Sequence, residues 1–109
     1  MDAKHDFLKE EALFADLSDV FKIFADETRL KILYALFDEE HCVFEISEKL
    51  SMSQSAISHQ LRILKDSKLI ACKRNGKAII YQLVDEHVRS IIAQGYEHLS
   101  DLNMKNKKE

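Results

Sequence analysis

The chain has 109 residues, room for one small domain, and 46% of them are hydrophobic, so a modest core is expected. No apolar run approaches the roughly 20 residues needed to span a bilayer, and acids interrupt MDAKHDFLKEEALF, where a secretory signal would be apolar; a cytoplasmic location is expected. The net charge of −3 argues against a polyanionic partner, yet residues 51–82 hold Arg62, Lys65, Lys68, Lys73, Arg74 and Lys77 against the single acid Asp66, a basic segment on an acidic body.

In chain order, Leu13, Phe14, Leu17, Val20, Phe21 and Phe24 follow the three-four spacing of an amphipathic helix that begins near Phe7. Asp26 is placed to cap a second helix whose Leu30, Leu33, Leu36 and Phe37 face inward, and Asp38-Glu39-Glu40 ends it. Val43, Ile46 and Leu50 mark a short third helix. Ser51-Met52-Ser53 is a tight break, with Ser53 positioned to cap the helix from Gln54 to about Lys65. There Ile57, Leu61 and Leu64 form a buried stripe, while Ser55, Ser58, His59, Arg62 and Lys65 form a polar one. Residues 69–84 read as two strands joined at Asn75-Gly76, a dipeptide suited to a type I′ hairpin turn. A last amphipathic helix covers 86–102, and KNKKE is expected to fray. With no proline, low-complexity stretch or repeat, residues 1–109 read as one domain.

Two short helices separated by three residues are the geometry of a helix-turn-helix, here over 43–66, and the basic hairpin after it is a wing. The expected fold is mainly α with a β-hairpin, a winged helix-turn-helix small enough that leftover apolar surface on its N- and C-terminal helices invites a dimer. Groove reading needs short polar side chains near a helix N-terminus and cations farther along. Gln54, Ser55, Ser58 and His59 are the candidates for base edges, and Arg62, Lys65, Lys73, Arg74 and Lys77 for the backbone of double-stranded operator DNA. A solvated polar face looks partly the same; the turn, the stripe and the wing together favour DNA.

SQSAISHQLRILKDSKLI, KRNGKAIIYQL and FKIFADETRLKILYAL resemble the ArsR/SmtB family of metal-sensing bacterial repressors over roughly residues 17–102. The resemblance implies a homodimer of winged subunits that binds DNA without effector and releases it on binding metal, freeing efflux or resistance genes. Its DNA-reading positions fall on Gln54, Ser55, Ser58 and His59.

Asp85, His87, His98 and Asp101 are all competent zinc ligands. His98 and Asp101 lie three apart on one helix face, and Asp85 at the strand-to-helix junction is able to turn toward His87. Eleven residues put His87 and His98 about 16 Å apart along the axis, so one subunit cannot close the site. Antiparallel packing against a two-fold mate would bring one subunit's Asp85 and His87 beside the other's His98 and Asp101, a zinc ion shared between subunits. Gly95 suits such close helix approach. The same four residues are also ordinary on a solvated helix. The zinc-sensing members of the family carry D-x-H, ten residues, H, two residues, then His or Glu; Asp101 stands at the last position, one methylene shorter than Glu. Two nitrogens and two carboxylates suit Zn(II), with Co(II) as a surrogate.

The family's thiolate-rich site grows around C-V-C, where this chain has Cys42-Val43-Phe44; a residual site from Cys42 and Glu45 with His5 or His41 stays open, though Cys42 reads more simply as a small buried side chain and His41 as a loop residue. A metal-independent or redox-responsive repressor using Cys42 and Cys72, and a metal buffer with no regulatory output, are the rival readings. An enzyme is not expected, because four protein ligands leave zinc no position for water.

Overall fold

Polar side chains, rather than proline or glycine, start most of the helices. The computed structural model describes residue 7 and residues 10–108, ordered as α1 (Glu11–Phe24), α2 (Glu27–Ala35), β1 (His41–Cys42), α3 (Val43–Leu50), α4 (Gln54–Asp66), β2 (Ile70–Asn75), β3 (Ala78–Leu83) and α5 (Glu86–Lys108). The Asp26 carboxylate accepts the Arg29 N–H at 3.0 Å to start α2, and the Ser53 hydroxyl accepts the Ala56 N–H at 3.1 Å to start α4. Caps of this kind are each worth about 1 kcal/mol. At α3 the Glu45 carboxylate reaches back to the Cys42 N–H at 2.9 Å. Ser51 (φ 54°) ends α3 and Lys68 (φ 64°) follows α4, two L-residues in the left-handed region that glycine favours. Lys68 and Leu69 donate back to the Lys65 and Leu64 carbonyls, satisfying the end of α4.

The sheet has three antiparallel strands in the order β1-β3-β2, one more than the expected hairpin. Two residues carry no periodicity, so β1 left no signal, and His41 is a buried strand residue opposite Tyr81 rather than a loop residue. Cys42, read as buried, is only half-buried at the start of α3. The wing turn also differs by one position. Asn75 pairs with Ala78, so the loop is Gly76-Lys77, and Gly76 (φ 65°) has positive φ while Asn75 does not. A two-residue loop with glycine first is the pattern of type II′, not the expected type I′. Helix α1 starts at Glu11 rather than near Phe7, and α5 continues to Lys108 through the segment expected to fray, which contains neither glycine nor proline.

The core is unevenly supplied. Ile32, Leu33 and Leu36 of α2, Ile46 of α3, Ile57, Leu61 and Leu64 of α4, and Leu69 and Ile70 at the wing base are all buried. Ile32 takes the inward place expected for Leu30, which is exposed, and Phe37 is half-buried. Among the described residues, α1 buries only Phe24 in it and α5 only Val88, with Val20, Ile23 and Ile92 half-buried against it. Leu13, Phe14, Leu17 and Phe21 of α1, and Ile91, Tyr96, Leu99 and Leu102 of α5, are exposed. The radius of gyration is 16.9 Å, against roughly 13 Å for a compact domain of about 100 residues.

Candidate DNA-reading face and metal site

With Ile57, Leu61 and Leu64 locked inward, the helical repeat places Gln54, Ser55, Ser58, His59, Arg62 and Lys65 in solvent along one side of α4. The Ser53 cap fixes the first turn, where Gln54 and Ser55 project. Helix α4 packs on α3 across the Ser51–Ser53 turn, and the Met52 N–H bonds to the Ser47 carbonyl at 3.1 Å. The structure brings the expected base-reading positions together on a rigid helix. Arg74 and Lys77 are exposed at the wing end, beside the Gly76-Lys77 loop. Lys73 differs: its ammonium pairs with Glu40 at 3.0 Å, so a phosphate must compete with a carboxylate already in place.

The metal candidates lie on α5. The Asp85 carboxylate accepts the His87 N–H at 2.9 Å and the Val88 N–H at 3.3 Å, capping the helix, and it lies 3.4 Å from His87 Nδ1. Desolvation works against its anion. The His87 ring and the Val88 and His87 N–H groups outweigh that and hold the carboxyl below its ordinary value. Asp85 and His87 are therefore close neighbours at the start of α5. His98 and Asp101 are exposed farther along α5. Among the described residues, no three His, Cys, Asp or Glu side chains of one chain converge on a single point. The donors fit a divalent ion chemically, two imidazoles and two carboxylates, but one subunit supplies only half of them at either end.

Sequence reasoning missed three side chains that position these elements, because none stands out by spacing. The Arg89 guanidinium donates to the Phe37 carbonyl, lies over the Phe37 ring at 5.8 Å and sits 3.8 Å from Glu86, tying the first turn of α5 to the end of α2. Arg29 donates to the Ile23 carbonyl at 2.9 Å and to Gln60 Oε1 at 3.4 Å. His41 is buried, with Nδ1 at 3.6 Å from Glu45 Oε1.

The cysteine alternatives fare differently. Cys42 and Cys72 lie on β1 and β2, separated by β3. Two strand spacings put their Cα atoms about 10 Å apart, beyond the roughly 7 Å limit for a disulfide. Glu45 is committed to the α3 cap: the Cys42 N–H and then the Cys42 thiol lower its pKa, against some desolvation and with help from His41. His5 lies outside the described residues.

An open apolar groove of about 1110 Å³ runs between α1, α2 and α5, lined by Phe21, Leu30, Tyr34, Gly95, Tyr96 and Leu99. A Cβ on Gly95 would meet nothing within 4 Å, so nothing inside the subunit requires glycine there. Among the described residues, no helix is long and apolar enough to cross a membrane.

A capped reading helix behind a tight turn, followed by a basic hairpin, defines a winged helix-turn-helix, a class of DNA-binding regulators rather than enzymes. Residues 26–71 match the family model described as bacterial regulatory protein, arsR family. The chain is 35% identical over 97 residues to the cadmium resistance transcriptional regulatory protein CadC homolog of Staphylococcus aureus, covering 88% of this chain and 78% of that protein. It is 35% identical over 85 residues to the transcriptional repressor SmtB homolog of a Synechocystis strain, covering 78% of this chain but only 64% of that relative's length. In structure it is similar to the homodimeric winged helix-turn-helix DNA-binding domain of a possible ArsR-family regulator from Mycobacterium bovis. There the identity is 28% and the TM-score 0.76, over 93% of this chain and 91% of that one. The chain belongs to the ArsR family of bacterial transcriptional regulators.

Proposed function

We propose that this chain is a metal-responsive transcriptional repressor that binds operator DNA as a homodimer and releases it on binding Zn(II). The observation that carries the reading is the divided donor set: Asp85 and His87 at the start of α5, His98 and Asp101 midway along it, on a helix that leaves Ile91, Tyr96, Leu99 and Leu102 exposed. Close packing of α5 against a second copy, with Gly95 at the approach, would cover Tyr96 and Leu99 and bring opposite ends together. Asp85 and His87 of one subunit with His98 and Asp101 of the partner subunit would hold the ion, which supplies a charge-neutralising bridge between helices. The homodimeric Mycobacterium bovis neighbour supports a dimer, and the named metal-resistance relative supports a metal effector.

The choice of Zn(II) over softer ions follows from the donors. Imidazole and carboxylate suit zinc, with Co(II) as a stand-in, whereas thiophilic ions want several thiolates. The chain has only Cys42 and Cys72, held apart by β3. The same separation counts against a redox-responsive repressor working through a disulfide between them.

Coupling follows from what the ligands already do. Asp85 caps α5, so recruiting it to an ion withdraws an acceptor from the His87 and Val88 N–H groups. Arg89 fastens that same turn to Phe37 at the end of α2, which packs on the reading head. Any adjustment at the site is therefore felt by the helices that aim α4. Metal and DNA then weaken each other's binding by the same factor.

Fluorescence anisotropy on a duplex selected by the protein, with and without Zn(II), tests the reading. The expected result is tight binding without metal, release on zinc addition, and zinc-insensitive binding for His98→Ala. Undiminished DNA binding by the wild type at saturating zinc, or a normal zinc response in His98→Ala, contradicts it.

A further inference from the structure

Helix α1 leaves Leu13, Phe14, Leu17 and Phe21 exposed, and α4 carries the candidate reading residues. In a dimer held partly by α1, the separation and phase of the two reading helices depend on how rigidly α1 is fixed to α4 within each subunit. One side chain spans that gap. The last carbonyls of a helix have no partner inside it, and the Ile23 carbonyl in the final turn of α1 accepts the Arg29 Nε–H at 2.9 Å. The same guanidinium donates from Nη1 to Gln60 Oε1, on α4 next to His59, at 3.4 Å. Its backbone is fixed as well, because the Arg29 N–H is the one that Asp26 caps. Arg29 and Gln60 are both half-buried, so water competes only partly for these bonds.

We propose that Arg29 is a positioning residue for DNA recognition, a strut that sets the angle between α1 and α4 and thereby the half-site spacing the dimer accepts. The guanidinium is suited to this because its planar fork serves two acceptors at once. A lysine could satisfy the Ile23 carbonyl but has no fork to reach Gln60 as well. The inference rests on the homodimer reading above. It does not depend on metal, on base preference or on the wing.

The probes are DNA duplexes bearing an inverted repeat selected in vitro by the wild-type chain. One set keeps the selected spacing, one adds and one removes a single base pair, and one carries a single half-site. A base pair turns a half-site by roughly 35° about the duplex axis, so a rigid dimer rejects the altered spacings. For Arg29→Lys and for Gln60→Ala, the preference for the selected spacing over its neighbours is expected to narrow by about tenfold. Affinity for the single half-site should stay within about twofold, and the double variant should add nothing to either single one, as for two ends of one bond. A general loss of stability would weaken all duplexes alike and leave the spacing profile unchanged. Gln60→Ala keeps the test open should Arg29→Lys fold poorly. Full spacing preference in either folded variant overturns the proposal. A wild-type chain that sediments as a monomer and shows no spacing optimum overturns the dimer reading itself, a separate result.

Discussion

The reading head and the helices that flank it are built to different standards. Between α2 and the wing base, buried Ile32, Leu33, Ile46, Ile57, Leu61 and Leu64 make a closed core, and Asp26 and Ser53 cap the helices beside it. Among the described residues, α1 and α5 each place one buried residue in that core, pack Val20, Ile23 and Ile92 against it half-buried, and leave Leu13, Phe14, Leu17, Phe21, Ile91, Tyr96, Leu99 and Leu102 exposed. The head closes its core within one chain; α1 and α5 carry the larger exposed apolar surfaces. The candidate metal donors follow the same division, one pair at the start of α5 and the other midway along it. Under the proposed function, recognition would reside in the subunit and regulation in the assembly.

Substitutions on the two sides should have opposite signatures. Leu61→Ala empties a fully buried site in the head and should lower unfolding free energy by about 2–5 kcal/mol, measured by denaturant titration. Phe14→Glu with Leu99→Glu, both on exposed faces, should leave the head's circular dichroism intact and weaken the dimer by about 100-fold or more in sedimentation equilibrium, since like charges would be buried together. If the pair of glutamates unfolds the monomer, the division between head and flank is wrong.

Smaller effects sharpen the head itself. Arg62→Ala should weaken binding to every duplex alike and reduce the slope of log affinity against log salt by about one; an effect confined to one sequence would make Arg62 a base reader. Glu45 tests the α3 cap through pH. Its folded pKa lies below the ordinary value, so its contribution is fully present above the unfolded pKa and is lost as pH falls through the folded one. The melting-temperature difference between wild type and Glu45→Gln should be constant from neutral pH to about pH 5 and shrink below about pH 4. Lys68→Gly relieves a left-handed L-residue and should add at most about 1 kcal/mol, with glycine's unfolded-state entropy offsetting part of the gain.

What the sequence disclosed follows the same division. The reading head was legible because its signals are local: the Ser53 cap, the inward stripe Ile57-Leu61-Leu64, the basic hairpin. Strand β1 was not, since its two residues gain meaning only by pairing with Ile80 and Tyr81. The wing turn was off by one residue because Asn-Gly specifies a turn more firmly than a register, and register is decided by pairing across the strands. Arg29 and Arg89 were invisible for a related reason: their acceptors, Ile23 and Gln60 or Phe37, are brought to them by the packing of helices. The four metal candidates were legible as chemistry, since ligand type and helical spacing are both written in the chain. Their proposed meeting across a two-fold axis would be a property of two chains.

The central claim is that the metal site is divided between subunits, and a mixed dimer tests it most directly. One variant would carry Asp85→Ala and His87→Ala, the other His98→Ala and Asp101→Ala. Each alone should bind no zinc at the dimer interface, because every shared site loses one half. Mixed in equal amounts and allowed to exchange, half of the dimers pair one variant with the other and rebuild one intact site, so about one zinc per four chains should return. Recovery of that binding in isothermal titration calorimetry is the predicted result; no recovery on mixing, or undiminished zinc binding by either variant alone, would contradict it.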